Sequence, residues 1–140
     1  MFSKTSEYAI KIMIYLGTHK ENEKLHGVRE ICEMLKSPEA FTAKILQQLV
    51  RAELLSSMKG KNGGFKIEKK TKEITIFDIV KAIDGDKSFT RCILGLADCS
   101  GENPCPLHHK YYKIKNEIQK NILNTNIQDL KDNLRHIKIH

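Results

Sequence analysis

Apolar residues in the first half of the chain recur at helical intervals. Ala9, Ile12, Met13 and Leu16 stand at i, i+3, i+4 and i+7, the stripe of a helix with one buried face. Ser3 or Thr5 can cap its start, and the pattern runs to Thr18. The polar stretch HKENEKLHG then reads as a solvated connection. Val28, Ile31, Cys32 and Leu35 repeat the stripe on a short second helix, in which Cys32 reads as a small core residue rather than a ligand. The segment SPEAFTAKILQQLVRAELL predicts a third helix with Ser37 as N-cap and Pro38 in its first position, where the absent amide proton is not missed. Phe41, Ile45 and Leu49 form its inner face, with Val50 at the margin.

The period then changes from helical to alternating. In LLSSMKGKNGGFKIEKK, Leu55 and Ser56 lead through Met58 into a turn, and Phe65 and Ile67 alternate with Lys66 and Glu68 after it. Asn62 and Gly63 are the residues expected to tolerate positive φ, so the stretch predicts a β-hairpin. Helical spacing returns with Ile76, Ile79, Val80 and Ile83, stopped by Asp84-Gly85-Asp86. Leu107, Tyr111, Ile114, Ile118 and Ile122 mark a long helix whose stripe needs a surface to bury against; a two-fold partner is favoured over its own first helix. The final NTNIQDLKDNLRHIKIH restarts a helix and ends in a basic tail expected to fray. The fold class is mainly α with a small β-hairpin: a winged helix-turn-helix over residues 1–84, a cysteine-rich loop over 85–105, and a dimerisation helix plus C-terminal helix over 106–140.

Charge changes the picture from fold to partner. The chain of 140 residues carries a net charge of +7, an excess that suits a polyanion such as nucleic acid or an acidic membrane surface. The longest apolar run, Ala9 to Leu16, is broken by Lys11, and the start MFSKTSEY lacks the features of a signal peptide, so a cytoplasmic protein is expected. On the third helix Glu39, Thr42, Ala43, Lys44, Gln47, Gln48 and Arg51 point away from the apolar stripe. Alone they read most simply as an ordinary polar face. The hairpin that follows carries Lys59 and Lys61 at its tip, among Gly60, Gly63 and Gly64, with Lys69, Lys70 and Lys72 behind, and helix and basic wing together point to double-stranded DNA. No phosphate-binding loop or Ser-His-Asp pattern suggests an enzyme or a small-molecule substrate.

Three of the chain's four cysteines fall in one segment, as Cys92-x6-Cys99-x5-Cys105, with His108 three residues beyond. Gly95, Gly101 and Pro104 let this backbone wrap a central object, and thiolates with an imidazole suit zinc or an iron-sulfur cluster better than calcium or magnesium. The six- and five-residue gaps fit the short knuckles of structural zinc poorly, which favours a cluster; redox-active free thiols are a further alternative.

At this point the chain resembles the Rrf-two family of bacterial winged-helix transcriptional regulators, with its IscR-like and NsrR-like members. The resemblance is carried by MFSKTSEYAI, FTAKILQQLVRAELLSSMKGKNGGF, IFDIVKAIDGD, TRC with the two cysteines after it, and CPLHHKY. It implies a homodimer on a palindromic operator, acting as repressor or activator, with an iron-sulfur cluster on Cys92, Cys99 and Cys105 that senses iron-sulfur status, redox state or nitric oxide. His108 matches the histidine that completes a 2Fe-2S cluster in IscR-like members, and Glu7 matches the place of a carboxylate that the partner subunit contributes in others, which leaves 4Fe-4S open. His108 is favoured over Glu7, and His109 is a weaker candidate. Ala43 stands where IscR-like members carry a glutamate that discriminates between two classes of site, and the spacing of six between the first two cysteines is five in those members. The rival classes are an iron-sulfur electron carrier or scaffold and an interaction module with structural zinc.

Overall fold

The computed structural model describes residues 1–134 together with Lys138 and Ile139. Helix α1 (Lys4–Thr18) starts where Ser3 accepts the Ser6 amide, and Ala9, Ile12, Met13 and Leu16 are all buried. Helix α2 (Val28–Leu35) ends in Lys36, whose φ of 54° reverses the chain into α3 (Glu39–Arg51). Strands β1 (Ser56–Met58) and β2 (Gly64–Lys66) pair antiparallel, with Ser57 opposite Phe65. Helix α4 (Ile76–Asp84) begins with a capping box between Thr75 and Asp78. A short α5 (Lys87–Thr90), α6 (His108–Ile118), a π-helical turn (Gln119–Leu123) and α7 (Ile127–Asn133) complete the described chain. The expected class, mainly helical with one hairpin, is what the chain adopts.

The core gathers Ile12, Met13 and Leu16 of α1, Ile31 of α2, Ile45, Leu46 and Leu49 of α3, and Phe65 of the wing. Leu46, outside the predicted inner face, is fully buried, while Cys32 is only half-buried. The wing is sewn to the base of α2 by a single residue: the His26 amide donates to Phe65 O at 3.0 Å and the Phe65 amide to His26 O at 2.8 Å. Two local expectations are corrected. The turn of the hairpin places its positive φ at Gly60 (112°) and Gly64 (149°) rather than at Asn62 and Gly63. And α3 begins one residue later than expected, with Pro38 as N-cap, because the Ser37 hydroxyl is engaged with Thr42 Oγ1 at 2.7 Å instead of capping an amide.

The C-terminal part divides in a way the sequence pattern did not show. The long helix is there, α6 running into the π turn, and it has no fully buried residue before Leu123. Helix α7, grouped by sequence with the dimerisation helix, instead folds back on the winged unit: the Ile127 amide donates to Ile74 O at 2.9 Å, and its side chain is fully buried in the same core as α1. Gly17 makes room for it, since a Cβ there would come within 2.8 Å of Ile127 Cγ2. Most of the basic tail expected to fray lies outside the described residues.

Candidate metal centre and nucleic-acid interface

The cysteine segment is built from short turns that begin or end at its ligand candidates. Lys115 of α6 donates to the carbonyls of Thr90 and Arg91, both at 3.2 Å, and so anchors the chain just before Cys92. Gly95, with φ of 71°, closes a turn by donating its amide to Cys92 O at 3.0 Å. The Cys99 amide donates to Leu96 O, Asn103 and Ser100 form a second turn, and the His108 amide donates to Cys105 O at 3.0 Å. Helix α6 therefore begins at His108, three residues after Cys105. Expected as a plain loop, residues 85–91 contain α5, whose Phe89 ring packs 5.4 Å from Phe77.

This backbone brings the three sulfurs within 4.8 Å of one another. Cys92 Sγ lies 3.7 Å from Cys105 Sγ, while Cys99 Sγ lies 3.4 Å from His108 Nδ1 and accepts the Cys105 amide at 3.4 Å. The backbone amides of Leu96 and Leu94 bring the Cys92 thiol down to about 7. The Cys105 amide favours the Cys99 thiolate too, but burial and the neighbouring sulfurs outweigh it and push that thiol up. A cation among three sulfurs so close would offset the repulsion between their thiolate charges. The donor set, soft sulfur with one imidazole, fits an iron-sulfur group or zinc. Glu7 is half-buried on α1, 3.4 Å from Lys4, and is not among the residues gathered here; the exposed His109 ring stands edge-on to His108 at 5.2 Å.

The DNA-facing candidates are less uniformly placed. Glu39, Lys44, Gln47 and Arg51 of α3 are exposed, as are Lys59 and Lys61 at the wing tip, and Ala43 is half-buried. Thr42 is not on that face. It is 1% exposed, and its hydroxyl donates back to Pro38 O at 2.9 Å, because one helical turn from Pro38 it faces the chain entering the helix. Arg29, 3.9 Å from Glu39, joins the exposed surface and was not singled out by the sequence pattern. Lys115 was missed as well; only its carbonyl partners distinguish it from the other lysines of α6.

A family model described as an iron-dependent transcriptional regulator, Rrf2, matches residues 2–133. A protein of Aquifex aeolicus (strain VF5), named for an HTH-type transcriptional regulator, is 35% identical over 132 residues, 93% of this chain and 90% of its own. The HTH-type transcriptional regulator NsrR of Oceanobacillus iheyensis is 28% identical over 107 residues, 76% of this chain and 72% of its own. Among solved structures, CymR (YrzC), the global cysteine regulator of B. subtilis, superposes with a TM-score of 0.78 at 21% identity, over 94% of this chain and 96% of that one.

Proposed function

The chain belongs to the Rrf2 family of transcriptional regulators, and from that premise we propose a cytoplasmic homodimer that reads a palindromic operator and is switched by an iron-sulfur cluster in the Cys92–His108 segment. It is a DNA-binding regulator rather than an enzyme. The observation that carries the cluster is the convergence of Cys92, Cys99 and Cys105 within 4.8 Å, with His108 Nδ1 on Cys99. Cys92 beside Cys105 and Cys99 beside His108 are the four residues that would hold a 2Fe-2S cluster. Glu7, supplied from a second copy, is the competing fourth ligand and would suit a 4Fe-4S cluster. When bound, the cluster supplies a centre that reacts with oxidants and nitric oxide.

The chain's own residues make the switch local. Lys115 holds the entry of the segment to α6, and the Cys105–His108 turn holds its exit at the start of the same helix. Ligation across the segment stiffens that frame. Leu107, Ile114 and Ile122, exposed at 39%, 54% and 39%, line the face of α6 that a second copy would cover. The frame's state thereby sets the spacing of the two α3 helices on DNA, and a coupling of about 1.4 kcal/mol is a tenfold change in affinity. Among the described residues no helix is long and apolar enough to cross a membrane.

Zinc is the second reading, favoured by the approach of all three sulfurs to within 4.8 Å of one another, a span that suits the ligands of a single ion. Iron, sulfide and zinc content, with a visible spectrum on protein purified without oxygen, separates the two. Iron with sulfide and charge-transfer bands, perturbed in His108→Ala but not in Glu7→Ala, is the expected result. Stoichiometric zinc without sulfide overturns the sensor and leaves a DNA-binding protein with a structural metal.

A further inference from the structure

The three clustered thiols are not equivalent. Cys99 Sγ is occupied twice, by the Cys105 amide at 3.4 Å and by His108 Nδ1 at 3.4 Å. Cys92 and Cys105 instead have their sulfurs turned to each other at 3.7 Å. A disulfide requires sulfurs about 2.05 Å apart, so each need move by less than about 1 Å, within reach of a small side-chain rotation. Both residues also lie where the backbone is held, Cys92 directly after the Thr90 and Arg91 carbonyls that Lys115 grips and Cys105 at the turn that opens α6.

We propose that the metal-free segment is a site of thiol oxidation, in which Cys92 and Cys105 close an intrachain disulfide and Cys99 remains a thiol beside His108. The oxidant is a peroxide. The Cys92 thiolate attacks one peroxide oxygen, the oxygen-oxygen bond breaks, and the leaving hydroxide takes a proton to become water. The Cys105 thiolate then attacks the sulfur of the Cys92 sulfenic acid; the sulfur-sulfur bond forms, the sulfur-oxygen bond breaks, and the second hydroxide leaves as water with the Cys105 proton. Two thiols and one hydrogen peroxide thus give one disulfide and two waters. The consequence for regulation rests on the cluster reading above: loss of the cluster under peroxide yields a closed segment that keeps its two ends joined, and reloading has to wait for reduction. Cys99 and His108 stay open as the pair from which rebuilding starts.

The test uses the full chain, stripped of metal by a chelator without oxygen, with iron, zinc and sulfide measured before and after. One equivalent of hydrogen peroxide is added, remaining thiols are alkylated, and trypsin is followed by a protease cutting after Asp98 and Glu102. Those cuts put Cys92, Cys99 and Cys105 on separate fragments for mass spectrometry. The expected product links the fragment 92–98 to the fragment 103–110, with Cys99 alkylated, and Cys99→Ser gives the same link. Linkage through Cys99, or full alkylation of all three, overturns the proposal. A link that persists in Cys92→Ser or Cys105→Ser would do the same. The readout is made on the stripped chain, so zinc found in the native protein would sink the cluster reading and leave this pairing standing or falling by itself.

Discussion

Gly63 shows how much a single residue can decide. A Cβ at this position would come within 2.0 Å of Met58 O, so the turn closes only over a hydrogen atom. Gly63→Ala should therefore cost about 1–3 kcal/mol, read as a lower urea midpoint, and should weaken DNA binding through a displaced wing. Under the same wing His26 is buried, with Nδ1 2.8 Å from Glu30 Oε1 and no partner for Nε2 among the described residues. Tyr15 donates its phenol to the same carboxylate at 2.9 Å. Burial, reinforced by Glu30, pushes that phenol from 10.0 up to about 12. The folded chain then holds the proton more tightly than the unfolded one, so the stabilisation is complete below pH 10 and disappears as pH rises to about 12. Tyr15→Phe should remove this part of the alkaline decline, seen as a wild-type-minus-variant difference in urea midpoint that shrinks between those pH values. Burial opposes ionisation of Glu30 also, but the bonds from His26 and Tyr15 outweigh it and hold its carboxyl below 4.5, a contribution lost only as pH falls beneath that value.

Between elements, the joint of α1 with α4 is the clearest case of one helix end supporting another. Asp84, the last residue of α4, accepts hydroxyl bonds from Ser3 at 2.8 Å and from the fully buried Ser6 at 2.7 Å. Its charge is unfavourable at the C-terminus of α4 and favourable at the N-terminus of α1, and the second placement is the one the hydroxyls reward. Asp84→Ala orphans the buried Ser6 hydroxyl and should cost about 1–3 kcal/mol, whereas adding Ser6→Ala should cost less than the sum of the single changes. Equal additivity in urea melts would show that the contact carries no energy. The wing acts on the element scale too. Replacing Lys59 and Lys61 by Ala should lower affinity for all sequences and flatten the dependence of log K on log salt by about 0.9 for each phosphate contact removed, whereas Lys44 and Gln47 changes should alter sequence preference.

On the scale of the whole molecule, two helices that follow one another in sequence have opposite fates. The stripe of α6 is left largely open, with Ile118 packing on Ile76, Val80 and Leu123, whereas α7 is absorbed into the core. If the proposed dimer forms through this face, Ile114→Glu with Ile122→Glu should give a monomer by light scattering while leaving the urea midpoint of the winged unit almost unchanged. Ile127→Ala should do the reverse, lowering that midpoint by about 2–5 kcal/mol in stability and sparing the oligomeric state, because the residue is fully buried against α1.

The helices, the hairpin and the cysteine-histidine segment were legible in the sequence because each is specified by neighbours a few residues apart: a stripe of period 3.6, an alternation of period two, a cap, a run of glycines. The identity of the candidate ligands was legible for the same reason, thiols and imidazole being rare enough to be conspicuous. What required the tertiary structure was everything that depends on a distant approach. Thr42 turns inward because Ser37 and Pro38 stand over it, Lys115 meets carbonyls 24 and 25 residues away, and Asp84 meets Ser3 and Ser6 across 81 and 78 residues. The division of the thiols into a pair and a thiol-histidine pair belongs there too, since side-chain direction in a loop is set by the turns that fold it and not by the spacing of its residues. Periodicity determines which face of an element is apolar; only packing decides what that face meets.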